Sequence, residues 1–429
     1  MWIAKAADRQ DAVTCPFCGL ACDDLSVQLD AGSLLALSNG CTIAQREFAE
    51  GLEGEDAPPR IRGQVVPMED ALDRCTELLR QAQAPLIGGL ATDVNGMRAV
   101  LALADRCGAT LDHANGDALF RNLLVLKDGG WFTTTFTEVR NRADLILVVG
   151  TQCFERFPRL IERVLFPPDA LFSPPADRAL VLIGPWDQDS LPADVRALNP
   201  TVIPVALSEL AGLAGLLRGL IAGRPVRTQA LRGIHDGVLE SLAGRLREAR
   251  YSVVTWTAAE LDFPHAELTV QALVELVRDL NQTTRSAALP LAGTLGDITV
   301  NQVCTWQTGY PLRTGLSQGQ PRHEPLLNRY SDLLARGETD LLLWVSALSR
   351  QAMPPASEVP TILLSQALIE QAAPPEVQIP VGVPGIDHPG HWYRSDSVCP
   401  LPLGRLRPSG MPSVAEVLTR LDERLATGL

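Results

Sequence analysis

The 429-residue chain has a net charge of −13 and a pI near 5.0; hydrophobic residues make up 46% and charged residues 20%. At roughly 100–200 residues per domain this is two to three folding units. The acidity excludes a nucleic-acid footprint, which needs a clustered basic surface. No apolar run approaches the ~20 residues of a membrane span; the longest are broken by Arg or Pro. The N-terminus, MWIAKAADRQDAV, has no apolar core followed by a small-residue cleavage site, so a cytoplasmic protein is expected.

In chain order, residues 1–56 read as irregular, with cysteines set among short apolar stretches, and Pro58-Pro59 closes them. Met68 to Gln83 reads as an amphipathic helix, with Ala71, Leu72, Cys75, Leu78 and Leu79 on one face. PLIGGLAT from Pro85 reads as a buried strand, followed by a helix from Asn95 to Cys107 that Gly108 stops. Apolar strands recur at Ala143–Gly150, Arg178–Gly184, Thr201–Ala206, Tyr251–Trp256, Thr339–Ser346 and Thr361–Ser365. Such strands, alternating with helices, indicate parallel sheets covered on both faces. ADLILVVG and TDLLLWVS echo each other, each with an Asp leading into an apolar strand. Glu267 to Arg285 and Ser413 to Thr427 read as helices, and the Pro-rich stretches 167–175 and 353–360 as surface loops. Gly88, Gly89, Gly150 and Gly184 close strands, where open α/β sheets gather ligands. No G-x-G-x-x-G or G-x-x-x-x-G-K-[ST] phosphate loop accompanies them, so these glycines read as tight turns.

Nine cysteines, an odd number in a long chain, do not form a disulfide framework. Cys75, Cys107, Cys153, Cys304 and Cys399 are scattered and read as small buried residues. The other four are concentrated as Cys15-x2-Cys18-x3-Cys22-x18-Cys41. A cubane iron–sulfur cluster takes four thiolates from several directions, three of which a short loop can supply. Gly19 and Gly40 allow close backbone approach, and Pro16 stiffens the loop. A tetrahedral zinc site uses the same donors but favours two paired C-x2–4-C halves. Free buried thiols are the third reading.

The local words narrow these options. CPFCGLACDDL at 15–25, SNGCTIAQREF at 38–48, TTFTEVRNRADLILVVG at 134–150, QTGYPLRTGLSQGQPRHEP at 307–325 and HWYRSDSVCPLPL at 391–403 resemble the B subunit of formylmethanofuran dehydrogenase. That family is similar to molybdopterin/tungstopterin oxidoreductases. The resemblance implies a formate dehydrogenase-like α/β fold without the C-terminal β-barrel, and a [4Fe-4S] cluster on Cys15, Cys18, Cys22 and Cys41. It also implies a molybdenum or tungsten pterin whose metal takes a cysteine from a Cys-His pair. Aligned to the family, Ala118 and Leu119 stand at that pair, and Thr42 replaces a basic residue that usually follows the fourth cysteine. A methyl group ligates no metal and Leu moves no proton.

These departures match the bacterial formyltransferase/hydrolase complex, which resembles the dehydrogenase with its redox half removed. The expectation is therefore a subunit without intrinsic catalysis and without tungsten or molybdenum pterin. Its expected partners are an amidohydrolase-type hydrolase subunit, a formyltransferase subunit and a further family subunit. An active pterin-dependent subunit is the alternative.

Other candidates are weaker. His388 and His391 flank Pro389-Gly390 and read as loop histidines, and Asp387 and Asp396 show no acid–base pairing. Glu138, Arg140, Asn141, Arg142 and Asp144 read as a structural polar run. Arg313, Arg322 and His323 lie in a Gly/Pro-rich loop expected to offer a basic lining to an anionic carrier tail. The expected architecture has a Cys-rich segment at 1–56 and a discontinuous Rossmann-like domain at 57–110 and 240–429. A second Rossmann-like domain, 111–239, is inserted between its halves.

Overall fold

The computed structural model describes residues 8–30, 32–53, 56–187, 189, 191–227, 234, 237–317, 319–368 and 374–427. The first seven residues of the stretch read for an export signal lie outside these. The chain divides into unit 1, residues 1–116 and 293–429, and unit 2, residues 117–292.

Unit 1 opens with an antiparallel meander of β1 (Asp8–Val13), β2 (Leu25–Asp30) and β3 (Ser33–Ser38). Helix α1 (Thr42–Glu53) follows. The described residues of 1–56 are thus not irregular as expected. Leu25, Val27 and Leu29 alternate with half-buried Ser26 and Gln28, the period of a half-covered strand. Short β4 (Arg60–Ile61) and β5 (Gln64–Val65) lead to α2 (Met68–Gln81), which buries Ala71, Leu72, Cys75, Leu78 and Leu79. Then come β6 (Pro85–Ala91) and α3 (Val94–Cys107). Asp93 caps the N-terminus of α3, and Gly108 ends it in the left-handed conformation. Short β7 (Thr110–Leu111) closes this half.

Unit 2 contains α4 (Gly116–Gly129) from Asp117 onward, α5 (Phe136–Arg142), β8 (Leu145–Val149), α6 (Cys153–Arg156) and β9 (Ala179–Gly184). It continues through α7 (Ala193–Ala197), β10 (Thr201–Pro204), α8 (Leu210–Ile221) and α9 (Val238–Glu248). It ends with β11 (Ser252–Thr257), α10 (Glu267–Leu280) and β12 (Ser286–Leu291). The sheet is parallel throughout, in the order β10-β9-β8-β11-β12, the 3-2-1-4-5 sequence of doubly wound sheets. Trp256 is fully buried in the core of this unit and donates its indole N–H to Asn122 Oδ1 at 3.0 Å.

Two expectations are corrected here. Residues 240–292 belong to the second unit, because β11 pairs along its length with β8. The chain therefore returns to unit 1 at residue 293, not near 240. The helix expected to reach Arg285 stops at Leu280, and β12 follows. Pro290 masks that strand in the sequence. It is tolerated because β12 lies at the edge of the sheet, as does β10 with Pro204.

Back in unit 1, α11 (Asp297–Thr308), β13 (Thr314–Gly315), β14 (Arg322–His323) and α12 (Tyr330–Ala335) precede β15 (Leu341–Ser346). Next come β16 (Thr361–Ser365), β17 (Val377–Pro380), a hairpin of β18 (Gly390–Tyr393) and β19 (Pro400–Leu403), and α13 (Val414–Ala426) with Ser413 in a capping box. The large sheet runs β14-β13-β7-β6-β15-β16-β17-β4-β5, with a parallel centre and antiparallel flanks.

The two echoing strand words share one device. Asp340 accepts the backbone N–H of Gln83 at 2.7 Å and of Ala84 at 3.0 Å, just before β6, the neighbour of β15. Asp144 accepts those of Arg250 at 2.8 Å and Tyr251 at 3.0 Å, just before β11, the neighbour of β8. Each carboxylate holds the start of one parallel strand against the next. Asp340→Ala and Asp144→Ala should each cost about 1–2 kcal/mol in urea unfolding. The corresponding Asn variants, with one oxygen still accepting, should lose less. Equal losses for Asn and Ala would show that the clamp does not act through these bonds.

Candidate functional site

The segment Cys15–Cys22 is a buried loop in unit 1. Cys15 donates its N–H to the Cys22 carbonyl at 2.8 Å, closing the base, and Ala21 donates to Cys18 O at 3.1 Å. Phe17 meets Phe48 of α1 edge-on at 5.0 Å. On the other side Ser395 donates its N–H to Gly19 O at 2.8 Å. Gly293 presses so closely that a Cβ there would stand 2.5 Å from Gly19 Cα, so position 293 leaves no room for a side chain. Cys41 is half-buried at the start of α1, and its carbonyl accepts the Gln45 N–H at 2.9 Å.

Cys15 and Cys18 feel both burial and the neighbouring thiols. Burial pushes Cys15 well up, and the neighbouring Cys18, Cys22 and Cys41 push the same way. Burial, then Cys22, raises Cys18 to about 12. Among the described residues, no group of three or more His, Cys, Asp or Glu is gathered to hold a metal ion. One tetrahedral zinc draws its sulfurs to a common point about 2.3 Å away, whereas a cubane spreads its thiolates around a wider body. The set offers sulfur donors alone, three of them buried and Cys41 half-buried.

Of the scattered cysteines, Cys75, Cys153 and Cys304 are buried as expected and Cys107 is half-buried, but Cys399 is exposed. Ala118 and Leu119 fall in the first turns of α4, with Leu119 buried. Just before them the chain carries Asp112, His113 and Asn115, which no motif in the sequence singles out. The Asp112 carboxylate is fully buried and accepts from His113 N at 2.9 Å, Tyr330 N at 2.9 Å and Arg313 Nε at 3.3 Å. Burial raises it to about 6 against the pull of Arg313. His113 Nδ1 accepts from Asn115 N at 2.8 Å, which leaves Nε2 to donate to the Leu295 carbonyl at 3.1 Å. Burial lowers its pKa to about 4, so it stands as a neutral strut.

Arg313 corrects an expectation. It does not line a basic loop but is 4% exposed, paired with Asp112 and donating to Pro325 O at 2.8 Å. Arg322 and His323 form β14 at the sheet edge, where His323 stacks on Tyr310 at 6.0 Å. Arg313 is thus buried on Asp112, while Arg322 is exposed.

His388 meets its own loop, with Nδ1 2.9 Å from Pro389 O and Nε2 3.2 Å from Gly382 O, while His391 is exposed. Asp387 accepts from Val383 N and Arg407, and Asp396 pairs with Arg394. The polar run at 138–144 is α5 and the strand clamp: Glu138 pairs with Arg142 at 2.7 Å and Arg140 with Asp169 at 3.1 Å. In unit 2 a further carboxylate, Glu260, is buried at the end of β8 on backbone donors. No recognised phosphate motif flags it.

No family model matches the chain. Over 96% of its length it is 26% identical to the B subunit of tungsten-containing formylmethanofuran dehydrogenase 2 from Methanocaldococcus jannaschii, covering 98% of that protein. The same-named subunit of Methanococcus maripaludis is 25% identical over the same shares. The B subunit of the formyltransferase/hydrolase complex Fhc of Methylorubrum extorquens is 28% identical over 67% of the chain and 74% of that subunit. A chain in the crystal structure of that organism's formyltransferase/hydrolase complex with methylofuran superposes with a TM-score of 0.73 at 27% identity, covering 86% of this chain and 99% of its own. The chain is a homologue of the B subunits of formylmethanofuran dehydrogenase and of the formyltransferase/hydrolase complex.

Proposed function

We propose that the chain is the non-redox, structural B subunit of a cytoplasmic formyltransferase/hydrolase complex. The observation that carries this is apolar Ala118-Leu119 at the opening of α4, where the redox relatives need a metal-ligating Cys-His pair. His113, close by in sequence, does not replace it: both ring nitrogens are engaged and its neutral form is locked. In such a complex a formyl group passes from formyl-tetrahydromethanopterin to a methanofuran-type carrier and is hydrolysed to formate. No electrons move, so no tungsten or molybdenum pterin is needed. The partners on this reading are an amidohydrolase-type hydrolase subunit, a formyltransferase subunit and a further family subunit. Cys15, Cys18, Cys22 and Cys41 would hold a [4Fe-4S] cluster that fastens the N-terminal loop, or remain as thiols.

A second reading, an active tungsten or molybdenum pterin subunit, is favoured by the near full-length match to the tungsten-containing relatives. Metal and pterin analysis of the protein purified anaerobically with its native partners separates the two. The first reading expects hydrolase and transferase subunits to co-purify, with neither tungsten, molybdenum nor extractable pterin. Stoichiometric tungsten or molybdenum with pterin would overturn it.

The structural role of His113 predicts a pH dependence. Its folded pKa, about 4, lies below the ordinary 6.5, so its contribution is present above 6.5 and lost as pH falls towards 4. Asp112 has the opposite sign: its raised value favours the folded form as pH falls through about 6. Arg313 faces Asp112, and Asp297 meets Asn115, which donates its N–H to the imidazole. Comparison with His113→Gln isolates the imidazole. Between pH 6.5 and 4 the wild type's melting temperature should fall relative to the variant's. Parallel curves would show that the imidazole is not held neutral.

A further inference from the structure

The strand order in the sheet of unit 2 reverses between β8 and β11, which themselves run parallel. In open α/β sheets the crevice outside the strand ends at such a switch point takes the ligand, often through backbone N–H groups closing on an anion. Gly150 ends β8 in the left-handed region at φ +90°, which turns the following amides toward one point. What meets them is the chain's own carboxylate. Thr151 N lies 2.7 and 2.8 Å from the two Glu260 oxygens, Thr151 Oγ1 2.6 Å from Oε1, and Gln152 N 3.0 Å from Oε2.

Three features set this apart from an ordinary surface carboxylate. Glu260 is 8% exposed. Among the described residues its partners are N–H and O–H donors of one short segment, and no Lys or Arg pairs with it. The space is also filled to contact, since a Cβ on Gly150 would stand 2.3 Å from Glu260 Oε2. The turn carrying Glu260 is anchored separately: Arg121 donates to Ala258 O at 2.9 Å and pairs with Asp262 at 2.5 Å. The carboxylate is thereby presented to the amides by a braced turn.

We infer that Glu260 occupies the anion hole at the switch point of unit 2 from within the chain, and so closes it to phosphorylated ligands. This goes beyond the assembly reading and does not rest on it. Failure here would leave that reading standing on Ala118, Leu119 and the relatives.

The test uses the full chain as purified with its partners, with inorganic phosphate as probe against chloride of matched ionic strength. Wild type should show no saturable phosphate binding by calorimetry and no phosphate-specific rise in melting temperature. Glu260→Ala should melt lower in chloride and recover with saturable phosphate, binding it at least about tenfold more tightly than wild type. Glu260→Gln, which still fills the hole, should gain little. Glu260→Ala without phosphate-specific recovery would overturn the proposal. Should that variant fail to fold, the wild type still decides: saturable phosphate binding that is lost in Gly150→Ala would show that the hole is open.

Discussion

Two aspartates clamp together, at their starts, strands distant in sequence. Asp340 and Asp144 each collect two backbone N–H groups from the segment that leads into the neighbouring strand. In unit 1 the paired strands, β6 and β15, are separated in sequence by the whole of unit 2. Closing so long a loop costs little more entropy than closing a moderate one, because the cost grows only with the logarithm of length. Register is the harder problem. Both strands are apolar along their length, so alternation of polar and apolar residues does not fix it. A charged acceptor at the mouth of each pair does, since a slip would separate it from both donors.

With that register set, unit 1 brings together pieces of chain that are far apart in sequence. The cysteine loop closes on itself, lies against Gly293 and accepts the Ser395 N–H. Leu295, also on the returning chain, accepts from His113. Arg313 and Tyr330 reach back to Asp112. Each contact joins the first 116 residues to the last third of the chain.

Much of this was legible in sequence because it rests on patterns of short range. The apolar strands, the helices from Met68 and Asn95 and the spacing of four cysteines are local signals, and the echo of two Asp-led strands suggested two units of similar design. The rest needed the third dimension. Pro290 disguised β12, since only its place at the sheet edge makes proline acceptable there. The partnership of β11 with β8 moved residues 240–292 into unit 2. Arg313 looked like a surface cation because its counter-charge, Asp112, lies 201 residues away. Glu260 belongs to no motif, and its role is set by amides more than 100 positions earlier.

The polar groups also explain why these positions differ from the cysteines. Leaving one buried polar group without a partner costs about 1–3 kcal/mol, more for a charged one. A fold that gives up a polar ligand must supply replacements from its own side chains. Glu260 on the Thr151–Gln152 amides, and His113 between Asn115 and Leu295, are satisfied in that way. Thiols are under no such pressure. Burial holds Cys15 and Cys18 protonated, and a neutral thiol packs as a small apolar side chain. Cys15 and Cys18 therefore sit in the interior at little cost as neutral thiols, while an unfilled anion hole or an unpaired imidazole would not.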